Sequence, residues 1–198
     1  MNLENIINEI SDKSKWKSFR FDELVTNRVE KVTPKDSGLE FYIGLEHLES
    51  GSLHIKNFGE TSSLIGDKLT IYRGDIIVAK RNAYLKRASL CHIDAVASAH
   101  SFVLKMNKDN VDERFFPFFL ISEYFWDRAI KISVGSLSPT INWKSIAKQE
   151  FLLPPKAQQA ELADLLWALD EVIEKDLELL EKLEVLLNNF IIKFLYFI

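Results

Sequence analysis

Cysteine is nearly absent: Cys91 stands alone among 198 residues, so no internal disulfide can form and the chain fits a reducing cytosol. Long hydrophobic runs are missing too. The stretch from Phe115 to Ile121 is already broken by Pro117, far short of the ~20 apolar residues that span a bilayer. The opening residues carry Glu4 and Glu9 in place of a basic region followed by an apolar one. The sequence therefore predicts no signal peptide and a cytoplasmic protein without a membrane segment. An excess of positive charge is also lacking, with 25 Lys and Arg against 29 Asp and Glu and a net charge of −4. That balance excludes a chain that binds nucleic acid over its whole surface. What is present is core material: 47% hydrophobic residues, 12% aromatics and 14 Phe argue for a globular fold and against disorder.

The charge is unevenly divided. Residues 1–150 hold 21 cations against 20 anions, whereas residues 151–198 hold 4 against 9. A DNA-binding face has to be local and lie in the first segment. That segment opens with Leu3, Ile6, Ile7 and Ile10 at helical spacing, a short amphipathic helix over Asn2 to Ile10. Short runs bounded by turn residues follow. The runs starting at Phe41, Gly51, Lys68, Asp75 and Ser101, each five residues long, read as strands. Residues 113–132 read as a helix with Phe116, Phe119, Leu120, Tyr124 and Ile130 on its core face, and 135–139 as a loop.

Beyond Pro155 there is neither Gly nor Pro over 43 residues, ~64 Å of helix. Steps of four and three residues pick out Leu162, Leu166, Leu169, Ile173, Asp176, Leu180, Leu183, Leu187, Phe190, Phe194 and Phe197. All but Asp176 are apolar, which is a heptad seam that needs a partner helix. A further row, Leu165, Val172, Leu179 and Leu186, widens the stripe enough for a second neighbour. The expected architecture is α+β: a compact mixed domain with a small sheet over residues 1–154, then a long coiled-coil helix over 155–198.

Several of these segments resemble one family. Gly135-Ser136, Ile141, the run Phe151-Leu-Leu-Pro-Pro-Lys-Ala-Gln-Gln-Ala-Glu-Leu-Ala-Asp-Leu-Leu and Leu169-Asp170-Glu171-Val-Ile resemble the type I restriction-modification specificity subunit. Tyr42-Ile-Gly-Leu-Glu, Gly74-Asp-Ile-Ile-Val-Ala-Lys-Arg, the continuation to Arg87 and Ser98-Ala-His-Ser-Phe-Val-Leu are similar to stretches of its recognition domain. Such subunits usually hold two recognition domains and two long helices in about twice this length; one of each is found here, a half-length form. The resemblance implies that the domain reads about half of a split target in double-stranded DNA. It implies methyltransferase subunits packed on the helix, which bring S-adenosylmethionine, and restriction subunits that join through the complex. No cofactor is expected in this chain. One domain and one helix can copy the two-domain arrangement by pairing two chains as an antiparallel homodimer.

The candidate DNA contacts are Lys80, Arg81, Tyr84, Lys86 and Arg87, four cations and an aromatic within eight residues, with no acid between Asp75 and Asp94. Lys and Arg neutralise phosphates and Arg reads guanine through paired donors. A lone cluster of this kind reads by default as a solvated strand end; its place after the Gly74-Asp75 strand and the resemblance favour DNA contact. Ser136, Ser138, Asn142 and Lys144 supply hydroxyls, an amide and a further cation, either as DNA contacts or as loop structure. His47, His54, His92 and His100 have no metal spacing, and Cys91 and His92 would face opposite sides of a strand. His100 reads more readily as a hydrogen-bonded core residue than as a DNA contact. Catalytic motifs are missing: no acid is followed two residues later by Lys, and no glycine-rich loop cradles a phosphate or S-adenosylmethionine. Recognition without catalysis is the expected role. The alternative is a coiled-coil adaptor or inhibitor that occupies a methyltransferase without reading DNA.

Overall fold

The computed structural model describes residues 13–196, the side chain of residue 196 excepted, so the expected helix over Asn2 to Ile10 and the seam position Phe197 lie outside the described residues. Two compact units are present, Met1–Ala160 and Glu161–Ile198. The first is richer in strands than its sequence runs suggest. The eleven strands among the described residues are β1 (Lys17–Arg20), β2 (Val25–Arg28), β3 (Lys31–Val32), β4 (Phe41–Ile43), β5 (Gly59–Glu60), β6 (Lys68–Ile71), β7 (Ile76–Ala79), β8 (Ala88–Leu90), β9 (Ala95–Ala97), β10 (Ser101–Met106) and β11 (Glu150–Leu153). They form three sheets in place of one small one, in the orders β1-β11, β2-β10-β7-β8 and β3-β6-β9-β4-β5. All pairings are antiparallel except β4 with β9. Ile43, Ile71, Ile77, Val103, Ala95 and Ala97 are buried together in one cluster drawn from the two larger sheets.

The phenylalanines have a second centre. Phe21 from the short helix α1 (Phe21–Leu24) lies 5.5 Å from Phe125 and 5.8 Å from Phe151 between ring centroids. Phe119 meets Phe151 edge-on at 5.1 Å. Edge-to-face pairs of this kind add to the burial of the rings themselves. The cluster ties α1, β11, α2 (Phe116–Ile121) and α3 (Glu123–Lys131) together.

Two sequence readings are corrected. The expected single helix over 113–132 breaks at Ser122, whose backbone is extended (φ −71, ψ 151) and whose Oγ accepts from the Phe125 N–H at 3.3 Å. Ser122 is thus the N-cap of α3, and Pro117 sits in the first turn of α2, where its missing N–H costs nothing. The run 51–55 is not a strand. Leu53 and Ile55 are buried as its alternation implies, but the one isolated bridge nearby, Ser50 with Arg87, precedes the run, which itself takes a bond from the Leu90 N–H to the Leu53 carbonyl. Alternation reported burial, not ladder pairing.

Gly74 shows why the strand carrying the basic cluster starts where it does. It takes φ +88 in a turn closed by the Asp75 N–H to the Tyr72 carbonyl at 2.9 Å. Asp75 is buried, accepts from the Tyr72 N–H at 3.0 Å and pairs with Arg28 Nε at 3.2 Å.

The last helix of the chain, α5 (Lys156–Tyr196), has 41 residues, or ~61 Å; it follows the short α4 (Trp143–Ile146) and β11. Its first turn is anchored by Gln159 of the Pro-Pro-Lys-Ala-Gln-Gln segment. Buried in the first unit, Gln159 accepts the Asp112 N–H at 2.8 Å and donates to the Pro154 carbonyl at 2.9 Å. Gln159→Ala is expected to destabilise the domain by about 1–3 kcal/mol, because it leaves two buried backbone groups unpaired. A urea midpoint equal to that of the parent would contradict this role.

Within the second unit the seam is uncovered. Leu169, Ile173, Leu180, Leu183, Leu187, Phe190 and Phe194 are 52–68% exposed, as are Val172, Leu179 and Leu186 of the adjoining row within that range. Leu162, Leu165 and Leu166 are half-buried. Lys175 pairs with Glu171 at 2.7 Å and Lys182 with Glu178 at 3.9 Å on the opposite side of the helix, which marks the polar face.

Candidate DNA-reading edge

At the end of β7 the chain enters a strained turn. The Lys80 N–H donates to the His100 carbonyl at 3.1 Å, and the Lys80 carbonyl accepts the Ile141 N–H at 2.8 Å. Asn82 and Lys86 both take left-handed backbones, with φ 53 and φ 48, on either side of a single helical turn at Ala83–Leu85. Asn tolerates that region; Lys does not favour it. Residues held this way need support, and the loop 133–142 supplies it. The Ala83 N–H donates to the Pro139 carbonyl at 3.1 Å, Ser138 Oγ donates to Asn82 Oδ1 at 2.7 Å, and Arg81 bridges Thr140. The two segments singled out in the sequence, some 50 residues apart, are therefore one surface feature.

The candidate residues do not all point outward. Arg81 and Tyr84 are exposed, as are Ser136, Asn142 and Lys144. Lys86 is half-buried and ion-pairs with Glu123 of α3. Arg87 turns inward: its Nη1 donates to the Leu45 carbonyl at 2.6 Å, and its Nε is buried without a hydrogen-bond partner. Burial lowers the Arg87 pKa. Its contact fixes the 45–50 segment against β8. The Ser138 hydroxyl is spent on Asn82, and Asn142 Oδ1 accepts the Lys144 N–H at 2.9 Å as the N-cap of α4.

Behind the turn lies a cleft of about 360 Å³ lined by Lys80, Lys31, Asn27, Phe102, Asn142 and Trp143 among others. Lys80 sits 5.7 Å from the Phe102 ring centroid, and burial lowers its pKa. His100 is exposed, not a core residue. Its pKa is lowered first by partial burial and then by Arg81, Lys80 and Lys68, so cations from β6 and the β7 end converge on it. Sequence reading missed Asn27, Lys31 and Lys68, which only the fold gathers. His100 had a linear signal in the Ser98-Ala-His stretch.

Cys91 and His92 do not share a strand, because β8 ends at Leu90. Among the described residues no cluster of His, Cys, Asp and Glu can hold a metal ion. Cys91 is buried, donates to the Ile93 carbonyl at 3.0 Å, and burial pushes its thiol pKa up to about 11. At pH 8 only about one thiol in a thousand is then ionised. Native protein is expected to resist iodoacetamide until it is unfolded; stoichiometric labelling of the native state within minutes would contradict the burial.

The sequence of the chain matches the type I restriction modification DNA specificity domain over residues 13–185. The chain belongs to this family. It is 25% identical over 169 residues to the type I restriction enzyme EcoDI specificity subunit of Escherichia coli, covering 81% of this chain and 36% of that protein. It is 24% identical to the MjaVIII specificity subunit of Methanocaldococcus jannaschii, covering 94% of this chain and 44% of the relative. The fold is that of the HsdS subunit from Thermoanaerobacter tengcongensis, with a TM-score of 0.68 at 19% identity over 81% of this chain and 43% of that one. The S subunit from M. genitalium aligns with a TM-score of 0.56 at 16% identity, over 81% of this chain and 40% of that one. The chain spans less than half the length of these relatives. The matched family is described as a DNA specificity domain, and both curated relatives are specificity subunits. No helix among the described residues is long and apolar enough to cross a membrane.

Proposed function

We propose that this chain is the DNA-reading half of a type I specificity subunit, and that two copies pair as an antiparallel homodimer. In this reading the dimer directs methyltransferase and restriction subunits to a bipartite, palindromic target. The joined loops carry the proposal. Lys80, Arg81, Lys86 and Lys144 can neutralise phosphates, while Arg81, Ser136 and Asn142 offer the donors and acceptors that read base edges. Tyr84 adds an exposed aromatic at the tip. Arg87 and Ser138 hold the edge in shape instead of contacting DNA.

The uncovered seam supports self-association. A two-fold axis sets residue i against j and j against i, and an antiparallel pair carries the two reading domains to opposite ends. Two identical domains then read identical half-sites in inverted orientation. The row Leu165, Val172, Leu179 and Leu186 takes the methyltransferase subunits, which bring S-adenosylmethionine. A selection from random double-stranded DNA with the full chain tests the reading. One enriched motif, whose affinity falls linearly with log salt, is expected. Methyltransferase binding with no sequence preference in the selected DNA would favour the adaptor role instead.

A further inference from the structure

The reading edge ends in apolar side chains that the domain leaves in water. Leu137 is 94% exposed and Val134 75%, among the most exposed large hydrophobic residues of the chain. Their backbone is built, not loose. Val134 and Thr140 exchange N–H to carbonyl bonds at 3.0 and 2.9 Å, and Thr140 Oγ1 donates to the Ser138 carbonyl at 3.0 Å. Gly135 takes φ +118, a backbone that a side chain would strain. The result is a short loop closed by the single Val134–Thr140 bridge, with Leu137 near its tip. The loop is docked on the Arg81–Lys86 turn by the Ser138 to Asn82 and Ala83 to Pro139 bonds.

The geometry points to Leu137 as a specificity-determining residue that packs on the 5-methyl group of a thymine in the major groove. This inference rests on the DNA-reading function proposed above. The cations around the loop suit a polyanion and none of them covers Leu137. At the Val134–Thr140 bridge the loop is two backbone stretches wide, the width of element that the major groove (~12 Å) admits and the minor groove (~6 Å) does not. The thymine methyl is the one apolar group that base edges present in the major groove, so it is the natural contact for an unpaired Leu there. Ser136, exposed and next to Leu137, offers a hydroxyl to a neighbouring base edge.

The experiment uses the full chain, its Leu137→Ala variant and the duplex enriched by the parent from random DNA. Thymines of that duplex are replaced one at a time by deoxyuridine, which removes only the methyl group. At one thymine per half-site the parent is expected to lose about four-fold in affinity, the value of one buried methyl, and the variant nothing. The slope of log affinity against log salt stays the same in both proteins, because no phosphate contact changes. Equal losses for parent and variant at every thymine would overturn the assignment while leaving sequence-specific binding intact. A parent that enriches no sequence at all would instead overturn the DNA-reading function on which the assignment stands.

Discussion

Leu180→Glu with Leu183→Glu is expected to yield monomers at concentrations where the parent is a dimer. Both positions lie on the seam and both are 53% exposed in the single chain; in the proposed dimer the partner helix covers them. An antiparallel dimer would place two carboxylates per chain, four in all, in an apolar interface with no cations facing them. Each unpaired buried charge costs several kcal/mol, so the dissociation constant should rise by at least ~1,000-fold. The substitutions sit far along α5 from the Gln159 anchor, so the thermal midpoint of the domain transition should not move. Sedimentation equilibrium separates the outcomes. A parent that is already monomeric, or a variant that still dimerises, would contradict pairing through this seam.

The second large effect concerns Arg81. Arg81→Ala is expected to weaken binding to the selected target by about 1–3 kcal/mol if the guanidinium reads a base, and to flatten discrimination at that position. If it contacts a phosphate, the loss is spread over all sequences and the salt slope falls by ~0.9. Lys86→Ala should cost less, because Glu123, itself exposed, already holds the half-buried ammonium in an ion pair. Arg87→Ala acts differently again. It removes the bond to the Leu45 carbonyl, so its expected effect is on stability, by about 1–3 kcal/mol, more than on DNA affinity. Titrations of the three variants at several salt concentrations, with urea melts beside them, check all three. Parent-like binding by Arg81→Ala would move the reading edge elsewhere.

These roles differ in how far they can be read from sequence. The seam of α5 was legible because a period of 3.5 persists over many turns and nothing along it competes. The start of the basic cluster was legible because Gly74-Asp75 marks a turn before an apolar run. The fates of the individual cations were not. Arg87 is spent on a carbonyl 42 residues away and Lys86 on Glu123, 37 residues away, and no local pattern encodes either partner. The cleft behind Lys80 draws Asn27, Lys31 and Leu69 from separate strands, which only sheet order brings together. The break at Ser122 had a local cause, an N-cap serine followed by an acid, that the helical spacing on both sides overrode. The run 51–55 failed for the opposite reason: its alternation marks one buried face, while strand identity needs a paired neighbour.

Mapping the modified bases in DNA from cells that carry this chain with a methyltransferase subunit tests the central claim most directly. Two identical reading domains at opposite ends of a helix pair predict one motif: two inverted copies of the same half-site separated by a spacer of unread bases, methylated once on each strand. An asymmetric motif, or methylation that is unchanged when the chain is absent, would contradict it.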